Sequence, residues 1–304
     1  MAGARARAGR WLMLQYYRRI LDDCEPYVIA RQALWGGLDL APLGVEVPVG
    51  NVFDPQRVAH GPFMQLVGRL DELTYGPLAL NMPSWVFYDC AVVPGAIFGF
   101  ARRAAALPPW ARKTLRVPDD YEGLVPVSMF IAIPMAHRKA QLVFTLCSLN
   151  EVAPGAAPEG LWRLTLAAGT AALAVDVMVG TVQWRSPQLG LYATLGPLKL
   201  LTAWTPAHDV RETATFYVQV DDEARGRLLR GDLVPSSEAE RFVDADDLGA
   251  LRALQSEVEE GVDVWVIGPA EIRGSDTRVP LTTRLAAVKP IAGDESLFHQ
   301  RFQG

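Results

Sequence analysis

The sequence predicts an α+β fold with a mainly antiparallel sheet wrapped on helices, and three observations carry that expectation. Two segments with helical character, beginning at Pro94 and near Gly160, are each followed by apolar runs of strand length. The runs cluster in hairpin-like pairs, most clearly Leu124 to Met135 and Gln141 to Leu149 across the polar His137-Arg138-Lys139 stretch. No Gly-x-Gly-x-x-Gly or Gly-Lys-Ser/Thr loop is present, which disfavours a parallel doubly wound sheet and removes the usual evidence for nucleotide-dependent chemistry.

In chain order, Arg5, Arg7 and Arg10 precede a short apolar patch from Trp11 to Leu14 that Gln15, Arg18 and Arg19 interrupt. The segment reads as an amphipathic helix ending near Asp22-Asp23 rather than a secretory signal, a solvated arm docked by Trp11, Leu14 and Leu21 or a membrane-surface contact. Ala33 to Val52 is loop with short strands, marked by Gly36-Gly37, Pro42 and Pro48. From Asp54 to Leu73 the pattern turns helical, with Phe63, Leu66, Val67 and Leu70 on one stripe and Pro62 near the start of the regular part. Trp85 to Val93 suits a buried strand, and Pro94 then opens a helix through Ala106 that Pro108-Pro109 closes.

Beyond the hairpin, a Pro/Gly-rich loop leads to a helix near Gly160 with Leu161, Leu164, Ala168, Ala171 and Val175 on one stripe. Val175, Val177 and Val179 fit either its far end or a strand. Leu164 to Trp184 carries one charge, Asp176, yet Thr165, Gly169, Asp176, Gly180 and Gln183 fall on a narrow polar face, so a globular segment is expected rather than a membrane span. Strands follow in Leu189 to Trp204 and Thr213 to Val220. From Asp221 to Glu260 twelve acidic residues oppose five arginines, and Leu248, Leu251, Leu254 and Val258 mark an amphipathic helix on a solvated excursion. Val262, Val264 and Val266, then Leu281 to Val288, return the chain to the sheet.

The expected domains are therefore residues 1–53 as arm and loop region, 54–221 as two helix-plus-antiparallel-strand units, 222–261 as the acidic excursion and 262–304 as C-terminal strands and tail. A long apolar helix followed by antiparallel strands that wrap around it resembles a hotdog unit. Two of them in one chain resemble a double hotdog, a likeness of element order that covers about half the chain. The alternative is a closed antiparallel β-barrel or cone, of the kind found in acetoacetate decarboxylase-like proteins.

Composition narrows the function. At 304 residues, half of them apolar, the chain can bury a sizeable core. A net charge of -5 argues against nucleic acid as a partner. Twenty-five arginines against four lysines reflect the codon usage of a GC-rich genome, and a cytoplasmic bacterial protein is the simplest placement. Lys113, Lys139, Lys199 and Lys289 are the only candidates for a Schiff-base mechanism. Cys24, Cys90 and Cys147, widely spaced, and His60, His137, His208 and His299, without a His-x-x-x-His pair, suggest neither a disulfide framework nor a metal site, and no cofactor is expected.

Two residues stand out for chemistry. Asp89, in Tyr88-Asp89-Cys90, lies just before the helix expected at Pro94, whose free amides could hold an acyl carbonyl. His208, in the polar corner Thr205-Pro206-Ala207-His208-Asp209, suits a general acid or base near neutral pH. The aromatic and apolar side chains Met129, Phe130, Phe144, Trp184, Tyr192, Trp204, Phe216 and Tyr217 suit a cavity for an acyl group or another apolar small molecule. The expected function is an enzyme acting on an acyl thioester or related apolar carbonyl compound by acid–base chemistry. The alternatives are a noncatalytic apolar-ligand-binding protein and a Schiff-base decarboxylase-like lyase. No stable membrane insertion is expected, and a homo-oligomer is left open.

Overall fold

The computed structural model describes residues 17–34, 36–37, 40, 45–93, 96–135, 140–172, 176–206, 212–230, 239–273 and 276–285. The chain forms two compact units, residues 1–133 with 141–175, and residues 134–140 with 176–304.

The first unit contains β1 (Glu25–Ile29), β2 (Val52–Phe53), α1 (Gly61–Tyr75), α2 (Ser84–Cys90), β3 (Ile97–Arg103), α3 (Pro109–Leu115), β4 (Leu124–Pro134), β5 (Ala140–Ser148) and α4 (Leu161–Ala172), the outermost tips of β4 and β5 excepted. Its strands run in the order β5-β4-β3-β1-β2. The pairs of β3 with β1 and with β4 are antiparallel, and β1 with β2 is parallel. Regular helix in α1 begins at Gly61 with Pro62 in its first turn, and it buries Phe63, Leu66, Val67 and Leu70, as their spacing predicts.

Two expectations are corrected in this unit. Trp85 to Val93 is not a strand: residues 84–90 form α2, which buries Val86, Phe87 and Cys90 and exposes Trp85, Tyr88 and Asp89. The helix expected from Pro94 to Ala106 is β3, fully buried from Ile97 to Ala101 between β1 and β4. A strand covered on both faces reads as an unbroken apolar run, and Ala and Phe in that run carry no period that separates strand from helix.

Close backbone approach fixes the packing here. A Cβ on Gly99 would lie 2.2 Å from the Ser128 carbonyl oxygen and 2.7 Å from the Tyr27 ring, whose hydroxyl donates to that same carbonyl at 3.0 Å. On α4, Gly169 admits Phe130, since a Cβ there would lie 2.3 Å from the ring. A buried relay joins the same elements. The Phe100 amide donates to Ser128 Oγ (3.2 Å), which meets Thr165 Oγ1 (2.7 Å), and Thr165 donates to the Leu161 carbonyl (2.8 Å). The β3–β4 register shifts between Phe100 and Ala101, where the Phe100 amide bonds to this side chain.

The second unit contains β6 (Val177–Gln183), α5 (Pro187–Ala193), β7 (Leu198–Thr202), β8 (Thr213–Gln219), α6 (Asp222–Arg230), β9 (Arg241–Asp244), α7 (Leu248–Glu259), β10 (Trp265–Val266), β11 (Glu271–Arg273) and β12 (Asp276–Thr282). Its strand order is β6-β8-β7-β10-β12-β11, with β9 also on β12, and the β6–β8, β7–β8, β7–β10, β10–β12, β11–β12 and β9–β12 pairs are all antiparallel. Val177 and Val179 are strand, β6, and Val175 lies outside the described residues, so the polar face from Thr165 to Gln183 does not belong to one helix. Leu189 to Trp204 is strand only from Leu198. Before it, Ser186 caps α5 by accepting from the Gln188 amide at 3.2 Å, with Pro187 in the first turn. Buried Trp184 donates to the Ala203 carbonyl at 2.7 Å, and α7, capped by Asp247, buries Leu251 and Leu254.

Among the described residues the strands of neither unit close into a ring, so the barrel alternative is set aside in favour of open, predominantly antiparallel sheets with helices. Among the described residues no helix is long and apolar enough to cross a membrane.

Candidate functional site

The polar residues of the first unit converge where β1 ends. There the chain makes three successive bonds to other segments: Ala30 amide to Phe53 carbonyl (3.0 Å), Arg31 amide to Ala91 carbonyl (2.8 Å) and Gln32 amide to Asp54 Oδ2 (2.9 Å). The other carboxylate oxygen of Asp54 accepts from the Gln56 amide at 2.9 Å. Burial alone would raise the Asp54 carboxyl, but these two backbone donors and the neighbouring Arg31 and Arg57 outweigh it and hold it below its ordinary value. Asp54 is thus a fixed anion that ties the β1 end to the loop after β2.

That loop positions His60. The Asp54 amide donates to His60 Nδ1 at 2.7 Å, which leaves Nε2 as the nitrogen that carries the proton of the neutral ring. The imidazole stands edge-on to Phe53 (5.5 Å), and Phe53 stacks on Phe63 (3.6 Å, 9°), so the ring is braced on an aromatic wall. Arg31 places its guanidinium 5.7 Å from the centre of the Tyr88 ring, and Gln32 Oε1 is buried there without a hydrogen-bond partner. The corner thereby combines an imidazole N–H and a guanidinium with an apolar wall. Such groups can polarise a carbonyl oxygen and move a proton beside it.

Asp89 follows Tyr88 on α2 and is exposed at the last turn of that helix. No helix N-terminus stands at residue 97, where β3 begins, so the amides expected to hold a carbonyl next to Asp89 are absent from that position. His208 lies outside the described residues, as do His137, His299, Lys139 and Lys289. Among the described residues, His60 is the histidine, and its place in this corner was not marked by spacing. Its signal in the sequence was the Asp54-Pro55 turn opening six residues before it.

All three cysteines are buried. Burial pushes Cys24 up to about 12, raises Cys90, and raises Cys147 well above its ordinary value, with Arg102 opposing it at Cys24 and Asp89, Glu151 and Asp71 adding to it at the other two. None is a thiolate nucleophile near neutral pH. Lys113 is exposed on α3, and Lys199 on β7 pairs with Asp263 at 2.9 Å beside the rings of Tyr217 and Trp265. Among the described residues no group of three His, Cys, Asp or Glu side chains comes together as a metal site.

Of the aromatic and apolar residues expected to line a cavity, Met129, Phe130, Trp184, Tyr192, Phe216 and Tyr217 are core, Trp204 is half-buried and Phe144 is exposed. Two concave surfaces among the described residues are lined by charged side chains instead. One of about 780 Å³ in the first unit is lined by Arg112, Lys113 and Arg116 above Leu107 and Val117. One of about 280 Å³ in the second unit is lined by Gln183, Arg185, Glu212 and Asp246, with Arg185 and Asp246 ion-paired. No protein-family model and no curated protein sequence matches the chain.

Proposed function

We propose that the protein is an enzyme acting on an acyl thioester or a related apolar carbonyl compound by acid–base chemistry, without a covalent acyl-enzyme. The observation that carries the reading is the 2.7 Å bond from the Asp54 amide to His60 Nδ1, which commits the neutral imidazole to carry its N–H at Nε2. In this reading His60 and Arg31 polarise the carbonyl, and Asp89 takes the proton from the attacking group as the negative charge on oxygen grows. The thioester then collapses by expelling its thiol, which takes up a proton in turn. His208, which lies outside the described residues, stays the other acid–base candidate of the proposal. The buried, raised cysteines support direct attack over a thioester-exchange intermediate.

Helix α4 lying on β3 in the first unit is the part of the structure closest to a hotdog-like arrangement, and the double form belongs to this proposal alone. The test is a panel of short- and long-chain acyl thioesters with the purified protein, read by thiol release, alongside native mass spectrometry. Thiol release above the buffer rate supports the enzyme. A co-purified apolar ligand with no turnover supports the noncatalytic binding protein instead.

A further inference from the structure

We propose that the concavity beside α3 binds the phosphate end of a small organic phosphate, held by Arg112, Lys113 and Arg116. Three cations in five residues line one surface depression of about 780 Å³, and its floor is Leu107 and Val117, each less than a tenth exposed. Two guanidinium forks and an ammonium match the oxygens of a phosphate, and an apolar floor matches the organic part that carries it.

The local build favours a site over a solvated helix end. Arg112 Nη2 donates to the carbonyls of Pro118 (3.0 Å) and Asp119 (3.2 Å), which fixes the guanidinium while its remaining N–H groups stay available. Arg116 occupies the position after the last helical residue with φ 54°, in the left-handed region where glycine is the usual residue. An arginine there costs backbone energy that glycine would not, and what it contributes in return is a third cation at the concavity. Two carboxylates oppose the three cations: Asp119 on the rim, and Glu72, which lies near Arg116 and is bonded to Arg69 at 2.6 Å. The depression therefore stays net positive within a chain of net charge -5.

The experiment is calorimetric titration of the full chain with inorganic pyrophosphate and with adenosine 5′-diphosphate at fixed ionic strength, sulfate serving as the control anion. Arg116→Gly and the double variant Arg112→Ala/Lys113→Ala are titrated in parallel, and denaturant midpoints are measured for both. The expected result is saturable binding of both phosphates, with the diphosphate nucleotide at least as tight as pyrophosphate and sulfate weaker. Arg116→Gly should weaken binding by about tenfold while its denaturant midpoint holds or rises, because a fork is lost and a left-handed arginine is relieved. The double variant should abolish binding. No saturable binding, equal binding of sulfate, rejection of the nucleotide, or affinity unchanged in Arg116→Gly would each overturn the proposal.

Discussion

Asp71 shows how one residue links burial to pH. Its carboxyl is 1% exposed, with Oδ2 accepting the Met82 amide at 2.6 Å and Oδ1 left without a partner. Burial, only partly opposed by that amide, pushes it up from 3.8 to about 6. A carboxyl raised on folding binds its proton more tightly in the native state, so stability is greatest below the unfolded value and falls as pH rises through 3.8 to 6. Two pKa units correspond to about 3 kcal/mol lost above pH 6. Asp71→Asn should therefore gain stability relative to the native chain as pH rises from 4 to 7, measured as the difference between urea midpoints. A difference that stays constant with pH would contradict the assignment. A second residue-scale expectation concerns thiols: in the native state a maleimide should label none of Cys24, Cys90 and Cys147, and full labelling should need denaturant. Asp89, Cys90 and Lys113 were each named from the sequence. The role of Arg116 was not, because a left-handed φ leaves no mark on a sequence when the residue is not glycine.

At the scale of elements, local pattern served for long or strongly periodic segments and failed for two short apolar runs. Helix α1, the Leu124 to Leu149 strands, α7 and the alternating strand β8 were legible from period alone. The doubly covered β3 and the seven-residue helix α2 were each read as the other type, because short apolar runs fit both and the neighbours decide. The same closeness gives sharp tests. Ser128→Ala should cost about 1–3 kcal/mol by leaving the Phe100 amide without its acceptor between β3 and β4. Gly169→Ala should cost about 1–3 kcal/mol by driving a methyl group into Phe130. Leu164→Ala, a truncation of a side chain 1% exposed on α4, should cost about 2–5 kcal/mol. Urea midpoints measure all three, and losses near zero would mean that α4 does not grip the sheet as described. On α7, the Arg252 guanidinium lies 4.8 Å from the centre of the Trp204 ring, so Arg252→Ala should cost about 0.5–1 kcal/mol.

For the whole molecule, the net charge of -5 conceals an uneven arrangement. The second unit carries the acidic stretch from Asp221 to Glu260, and the first carries both the Arg31–His60 corner and the Arg112–Arg116 depression. The polar corner was only partly legible because its members come from positions 31, 32, 54, 60 and 88, brought together by the end of one strand and the helix that follows another. The central claim is that this corner performs acid–base chemistry on a thioester. Its most direct test is kcat/KM on the best substrate of the thioester panel, compared among the native chain, His60→Gln and Asp89→Asn, with equal far-UV spectra as the check on folding. The account predicts a loss of about 10²-fold or more in each variant, the size of a general acid or base contribution. Native-level turnover in both variants would contradict it.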